Sequence, residues 1–241
     1  MKSCLVIALG LVAPAVTGCH EEDRLAYAWD DRTILCSNSV DDITADLNFG
    51  RVEDQFALAE ERGWVSLIHA HNPGETINES TIDRILDAAD AHHLSYVTYD
   101  ELRPDGPGGP GVAFAFDDDH VDEWYALRDT FAAHNARITF FVTRWYQLPP
   151  DALAKLAELA GDGHDLEPHS HDHVDATEFV HEHSLDDYLQ EQVLPSIQIM
   201  IDAGYHPTTF AFPFGSTIPA ISDALLQYVD RVRTTPGPCP Y

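Results

Sequence analysis

Short apolar runs alternate with stretches of helical period along most of the chain. The runs at 64–68, 94–99, 112–116, 137–142 and 208–212 each have the length of one buried parallel strand, and a last strand is expected near 231–235. Between them, 51–62 carries Val52, Phe56, Leu58 and Ala59 at helical spacing and is closed by Gly63. A helix capped by Ser80 is expected to run to about His92, with Ile82, Ile85, Leu86 and Ala89 on one face. Further helices are predicted over 121–133, 150–160, 185–203 and 220–228, and 164–168 reads as a short extended piece. Repeated strand–helix units dictate a parallel sheet with right-handed crossovers. The expected fold is α/β, a distorted or incomplete (β/α) barrel, with 51–241 forming one domain. Residues 20–50 read as a tether and irregular lead-in, with 33–36 as a candidate short strand.

Residues 1–19 stand outside that pattern. Lys2 precedes a nearly unbroken apolar run from Cys4 to Val16, too short to cross a bilayer as a helix, which predicts an export signal. The run ends in Val16-Thr17-Gly18-Cys19, which resembles a bacterial lipoprotein signal with Cys19 as the lipidated residue. An ordinary cleaved secretory signal is the alternative. The lipoprotein reading places the protein in the bacterial cell envelope, periplasmic or on the outer surface, held to the membrane only through its lipid. Cys36 and Cys239 then remain in an oxidising compartment, free to form a disulfide. The formal charge of -28, from 41 acids against 13 Lys and Arg, excludes attraction to nucleic acid or to an anionic membrane surface.

Three places carry candidate chemistry. The run 112–116 ends abruptly in Asp117, Asp118, Asp119 and His120, where a parallel strand opens onto a ligand crevice. Adjacent carboxylates repel one another unless a cation lies between them, so a metal is one reading and an acidic helix N-terminus the other. The second place is His169-Ser170-His171-Asp172-His173, whose imidazoles share a face whether the segment is extended or one helical turn. Neutral histidine with carboxylate suits Zn²⁺ and its neighbours, and three protein ligands leave a position for water. A solvated His-rich loop is the alternative, because His164, His181 and His183 lie close in sequence. The third is Phe212-Pro213-Phe214-Gly215, a strand stopped by a turn whose main-chain N–H groups can face an oxyanion.

Together these stretches resemble the polysaccharide deacetylases of carbohydrate esterase family four, related to the nodulation chitooligosaccharide deacetylases. Phe116-Asp117-Asp118-Asp119 is similar to the family's Phe-Asp-Asp-Gly motif, and His169 to His173 to its His-Ser/Thr-x-x-His motif. Pro213-Phe214-Gly215 is similar to its Pro-Tyr/Phe-Gly turn, the strand at 137–142 to its Thr-Phe-Phe strand, and Leu67-Ile68-His69 to a tyrosine-histidine strand near many members' starts. The resemblance spans 64–235. It implies a hydrolase that removes N- or O-linked acetyl groups from a cell-wall or extracellular polysaccharide. Asp117 would be the general base, Asp118, His169 and His173 the ligands of a divalent metal, most simply Zn²⁺, and the Phe214 backbone N–H an oxyanion donor.

Three departures from the family pattern stand out. Asp119 replaces the glycine, adding a possible site group. Ala211 stands where an arginine that orients the base is often found. No histidine follows His206, so the family's late general-acid histidine is missing, and His71 and His120 are the candidates to replace it. From a different functional class, a non-catalytic glycan-binding or zinc-binding lipoprotein on the same fold is the alternative.

Overall fold

Strands form where the sequence concentrates its apolar runs, and they close most of the way round a barrel. The computed structural model describes residues 25–42, 49–237 and 239. The export signal and Cys19 lie outside the described residues. The strands are β1 (Ala26–Tyr27), β2 (Ile34–Cys36), β3 (Asn38–Ser39), β4 (Val65–Ala70), β5 (Ser95–Tyr96), β6 (Gly111–Asp118), β7 (Thr139–Val142), β8 (Asp165–Pro168), β9 (Thr209–Ala211) and β10 (Arg231–Thr234). Between them run α1 (Phe49–Arg62), α2 (Glu79–Ala91), α3 (Val121–Ala126), α4 (Arg128–Ala133), α5 (Pro150–Gly161), α6 (Ala176–Glu182), α7 (Leu185–Tyr188), α8 (Leu194–Asp202) and α9 (Pro219–Leu225).

A larger sheet has the order β1-β4-β6-β7-β8, with β3 also on β4 and β5 on β6, and a smaller one the order β2-β10-β9. All pairs are parallel except β1 with β4. The sheets join on one side through the chain itself, since β2 pairs with β10 and the next residues, β3, pair with β4. On the other side a side chain spans the seam between β8 and β9. The buried Glu167 carboxylate accepts from the Thr208 N–H (3.0 Å), the Thr209 N–H (3.1 Å) and the Thr208 hydroxyl (2.8 Å).

Strand alternation sorts the core into two layers. Ile68, Ala70, Phe114, Phe116, Phe140 and Val142 face outward into the layer under the helices. Val65, Leu67, Ala113, Ala115, Phe141 and Ala211 face into the barrel. The smaller sheet packs Phe210, Phe212 and Val232 against α6 to α9 in a cluster of its own.

Several local expectations are corrected. Residues 25–42 supply three strands: the candidate at 33–36 is β2, while β1 and β3, at two residues each, are too short for alternation to show and are held by pairing with β4. The N-cap of α2 is Asn78, not Ser80, and the Asp42 carboxylate accepts from the Asn78 N–H at 3.0 Å. The run 94–99 keeps only β5 as strand before a 3₁₀ turn at Tyr99–Glu101. The helix over 121–133 divides at Leu127. The helix over 185–203 contains a π-turn at Leu189–Val193, where Pro195 has no N–H to give the Glu191 carbonyl. Cys36 and Cys239 are disulfide-bonded with Cα atoms 5.8 Å apart, tying β2 to a residue beyond β10. Among the described residues no helix is long and apolar enough to cross a membrane.

Candidate active site

The inward series of β6, Ala113 and Ala115, continues to Asp117 at the carboxyl end of the strand. Strict alternation would send Asp118 to the outer layer. Instead Asp118 has φ 89°, a left-handed conformation rare outside glycine, and this break brings the second carboxylate to the same end of the barrel.

Asp117 is 2% exposed and Arg233, from β10, is 1% exposed; Arg233 Nη2 donates to Asp117 Oδ2 at 2.5 Å. Burial alone would raise the Asp117 pKa, but the guanidinium and the surrounding imidazoles hold it at about 2. The other oxygen, Oδ1, is buried and receives no hydrogen bond. Arg233 thus reaches Asp117 from β10, a different strand from that of Ala211. His71, at the end of β4, has Nε2 4.0 Å from Asp117 Oδ2, and its Nδ1–H donates to Asp41 Oδ2 at 2.5 Å. Burial opposes charge on this ring, yet the bond to Asp41 and the field of Asp117 raise its pKa to about 9. Asp41 is fixed in turn by the Thr76 hydroxyl (2.6 Å) and the His71 N–H (3.2 Å). His69 is buried, with Nδ1 2.9 Å from Ser37 Oγ, and burial holds its pKa at about 3.

Asp118, His169 and His173 form a second group, each offering one ligand atom within 4.8 Å of the others. Asp118 Oδ1 lies 2.8 Å from His173 Nε2 and 3.7 Å from His169 Nε2, yet it is buried without a hydrogen bond of acceptable geometry. His169 Nδ1 lies 2.9 Å from the Ala211 carbonyl, and only a protonated Nδ1 makes that contact favourable. This leaves Nε2 as a bare lone pair turned toward a carboxylate. Burial holds the His169 pKa at about 4, so the ring does not supply the missing charge near neutrality. A bare imidazole lone pair facing an orphaned carboxylate oxygen, with His173 Nε2 beside it, fits a divalent cation, and the Ala211 carbonyl is the kind of outer partner that orients a ligating imidazole.

The remaining candidates occupy distinct places. Phe214, at φ 59° and 67% exposed, sets its ring edge-on to His173, with centroids 4.8 Å apart. Gly215, at φ 62°, is held so closely against Thr235 that a Cβ would lie 2.2 Å from its hydroxyl oxygen. His120 Nε2 lies 3.7 Å from Asp118 Oδ2, on the ligand side of the site and not beside Asp117. Asp119 is outside the ligand group; its Oδ2 is 3.5 Å from Arg144 Nη1. His164 is buried and accepts from the Ile138 N–H at 2.9 Å, and neither His181 nor His183 belongs to a metal-capable group among the described residues. Gln192, within the π-turn, grips the ligand loop: its carbonyl accepts from the His171 N–H (2.9 Å), its Oε1 from the Asp172 N–H (3.0 Å), and its Nε2 donates to Asp172 (2.9 Å).

Sequence reasoning missed Arg233, Asp41 and Gln192. Arg231 and Arg233 alternate with Val232 and Thr234 in a short strand, which is a usable signal, because a charge at an inward position demands a buried partner. Asp41 and Gln192 carry no such mark.

Comparison with known proteins agrees with this arrangement. The structure of IcaB from Ammonifex degensii superposes with a TM-score of 0.58 at 16% identity, covering 70% of this chain and 83% of that one. Streptococcus pyogenes deacetylase PplD, solved in complex with acetate, gives 0.52 at 18% identity, covering 72% and 92%. At such identities the likeness speaks for the fold. No curated protein sequence matches significantly. The polysaccharide deacetylase family profile matches residues 105–235, which is more than half of the chain and includes Asp117, Asp118, His169, His173 and Phe214. With its incomplete α/β barrel, the chain belongs to the polysaccharide deacetylase family.

Proposed function

We propose that the protein is a metal-dependent hydrolase that removes N- or O-linked acetyl groups from a cell-wall or extracellular polysaccharide. The observation that carries this reading is the division of labour at the end of β6. Asp117 is kept ionised by Arg233 with Oδ1 unengaged, beside a second group whose donors call for a cation. Family membership supports the acetylated polysaccharide as substrate class.

In this reading Asp118, His169 and His173 hold the metal, for which Zn²⁺ is the simplest choice. When bound, the cation polarises the acetyl carbonyl and favours deprotonation of water. Asp117 Oδ1 accepts the proton of the attacking water, and the Arg233 bond to Oδ2 fixes the carboxylate plane during that transfer. The Phe214 N–H receives the developing oxyanion. His71 stays protonated at neutral pH, on the Asp117 side of the site, and delivers its Nε2 proton to the departing amine or alkoxide. Asp41 stabilises that proton until transfer. His71 thus serves as the general acid, and His120, on the ligand side, does not.

Release of acetate from acetylated chito-oligosaccharides and acetylated xylan, measured before and after chelation with metal content on the same sample, tests the proposal. Chelator-sensitive release with about one metal per chain is expected. A metal-loaded protein that releases no acetate from any such substrate overturns it. The leader and Cys19 support export and lipid anchoring in a bacterial envelope, and mass spectrometry of the mature N-terminus reads this directly.

A further inference from the structure

We propose that Tyr146 is a sugar-binding subsite, stacking against the pyranose next to the one whose acetyl group is removed. This rests on the reading above and adds a residue that none of the family-like motifs contains. The surface is dominated by acids, and among the described residues large exposed apolar side chains are few: Tyr146, Ile201, Phe214, Ile218 and Tyr228. Two of these five, Tyr146 and Phe214, pack their rings on the loop that supplies two of the ligands.

Tyr146 is 48% exposed and stacks on His171, with ring centroids 4.4 Å apart and planes inclined by 18°. Its hydroxyl donates to Asp172 at 2.6 Å and accepts from Gln147 Nε2 at 2.7 Å. Asp172 and His171 are themselves gripped by Gln192, and the His171 carbonyl accepts from the Arg144 N–H at 3.2 Å. An exposed tyrosine ordinarily samples several rotamers; this one is fixed by a stack and two hydrogen bonds. A ring fixed before binding loses little conformational entropy when a ligand covers it. His171 and Asp172 lie within the segment between His169 and His173, so the plane is also fixed relative to the reacting centre.

The chemistry of the plane selects its ligand. An aromatic face carries negative quadrupole density and favours the weakly positive C–H face of a sugar ring. The Asp172 carboxylate that its hydroxyl holds, in a chain of net charge -28, disfavours an anionic polymer, so a neutral, N- or O-acetylated sugar is the fitting occupant.

The test compares Tyr146→Ala and Tyr146→Phe with the wild type on acetylated oligosaccharides of increasing length and on 4-nitrophenyl acetate, with metal content measured throughout. Tyr146→Ala is expected to raise KM for the longer oligosaccharides about tenfold while leaving kcat, ester turnover and metal content unchanged. Tyr146→Phe, which keeps the ring, should stay within about twofold of wild type. Equal losses on oligosaccharide and ester, or loss of metal, would show that Tyr146 merely props the ligand loop and would overturn the subsite. Unchanged KM at every length overturns it too. If the wild type deacetylates nothing, the catalytic reading fails on its own account. Calorimetric titration with the longest oligosaccharide then decides the subsite: about tenfold weaker binding to Tyr146→Ala upholds it and equal binding overturns it.

Discussion

Asp117 and Asp118 are joined by one peptide bond and inhabit opposite surroundings. On the Asp117 side, His69, His71 and Asp117 offer ligand atoms as closely grouped as those of Asp118, His169 and His173. By donor type alone either group would hold a metal. The first, however, already contains the buried Arg233 guanidinium, and Asp41 claims the second nitrogen of His71. Around Asp118 the partners are imidazoles, and no arginine or lysine among the described residues is paired with it. On the proposed reading, a resident cation commits one group to proton transfer, and its absence leaves the other to a metal. What separates the two functions is the counter-charge and not the ligand types.

The strongest way to break this comparison is to neutralise each carboxylate in turn. Asp117→Asn is expected to lower acetate release by about 10²-fold to 10⁴-fold with metal content unchanged, whereas Asp118→Asn loses metal and activity together. Loss of metal from both variants would mean that the two groups act as one centre. Next in size, Arg233→Met leaves Asp117 buried without its partner and should cost roughly 3 kcal/mol in urea denaturation. Its metal content should match wild type, since Arg233 bonds only to the Asp117 side. Reduction of Cys36–Cys239, which ties β2 beside β10, should cost about 2–4 kcal/mol and lower activity before metal is lost.

The smallest effect is on protons. His71 has a folded pKa of about 9 against 6.5 for the free side chain. Its raised pKa stabilises the fold fully below pH 6.5, and that contribution is lost as pH rises through about 9. Proton donation should fail over the same range, giving kcat/KM a basic limb near pH 9. Asp41→Asn removes the charge that raises the pKa and should move that limb toward neutrality by roughly one unit. An unmoved limb would assign the proton to another group.

These contrasts also show what a sequence can reveal. The strands β4, β6, β7 and β9 and the helices α1, α2, α5 and α9 are legible because each buries an apolar run or face. Asp117, Asp118, His169 and His173 are legible because polar groups cluster just past strand ends. The short strands β1 and β3 are not, since their order comes from partners distant in the chain. Arg233 escapes notice because the residue it bonds is 116 positions away, on another strand. The Asp118 conformation is equally hidden: alternation predicts its side chain outward, and only φ 89° reverses that.

The π-turn at Leu189–Val193 sets helix regularity against site geometry. In an uninterrupted α-helix the Gln192 carbonyl would be taken by the Ser196 N–H, but here it is spent on His171, and Pro195 disrupts the ladder at that point. A designer seeking thermal tolerance would replace Pro195 with alanine and recover helix hydrogen bonds. The same change gives the Glu191 carbonyl a helical partner and favours a regular turn, in which the Ser196 N–H would compete for the neighbouring Gln192 carbonyl that holds His171, so robustness gained in the helix is withdrawn from the placement of His169 and His173. The irregularity is an investment in positional accuracy, made in a helix that contributes neither a ligand nor a base.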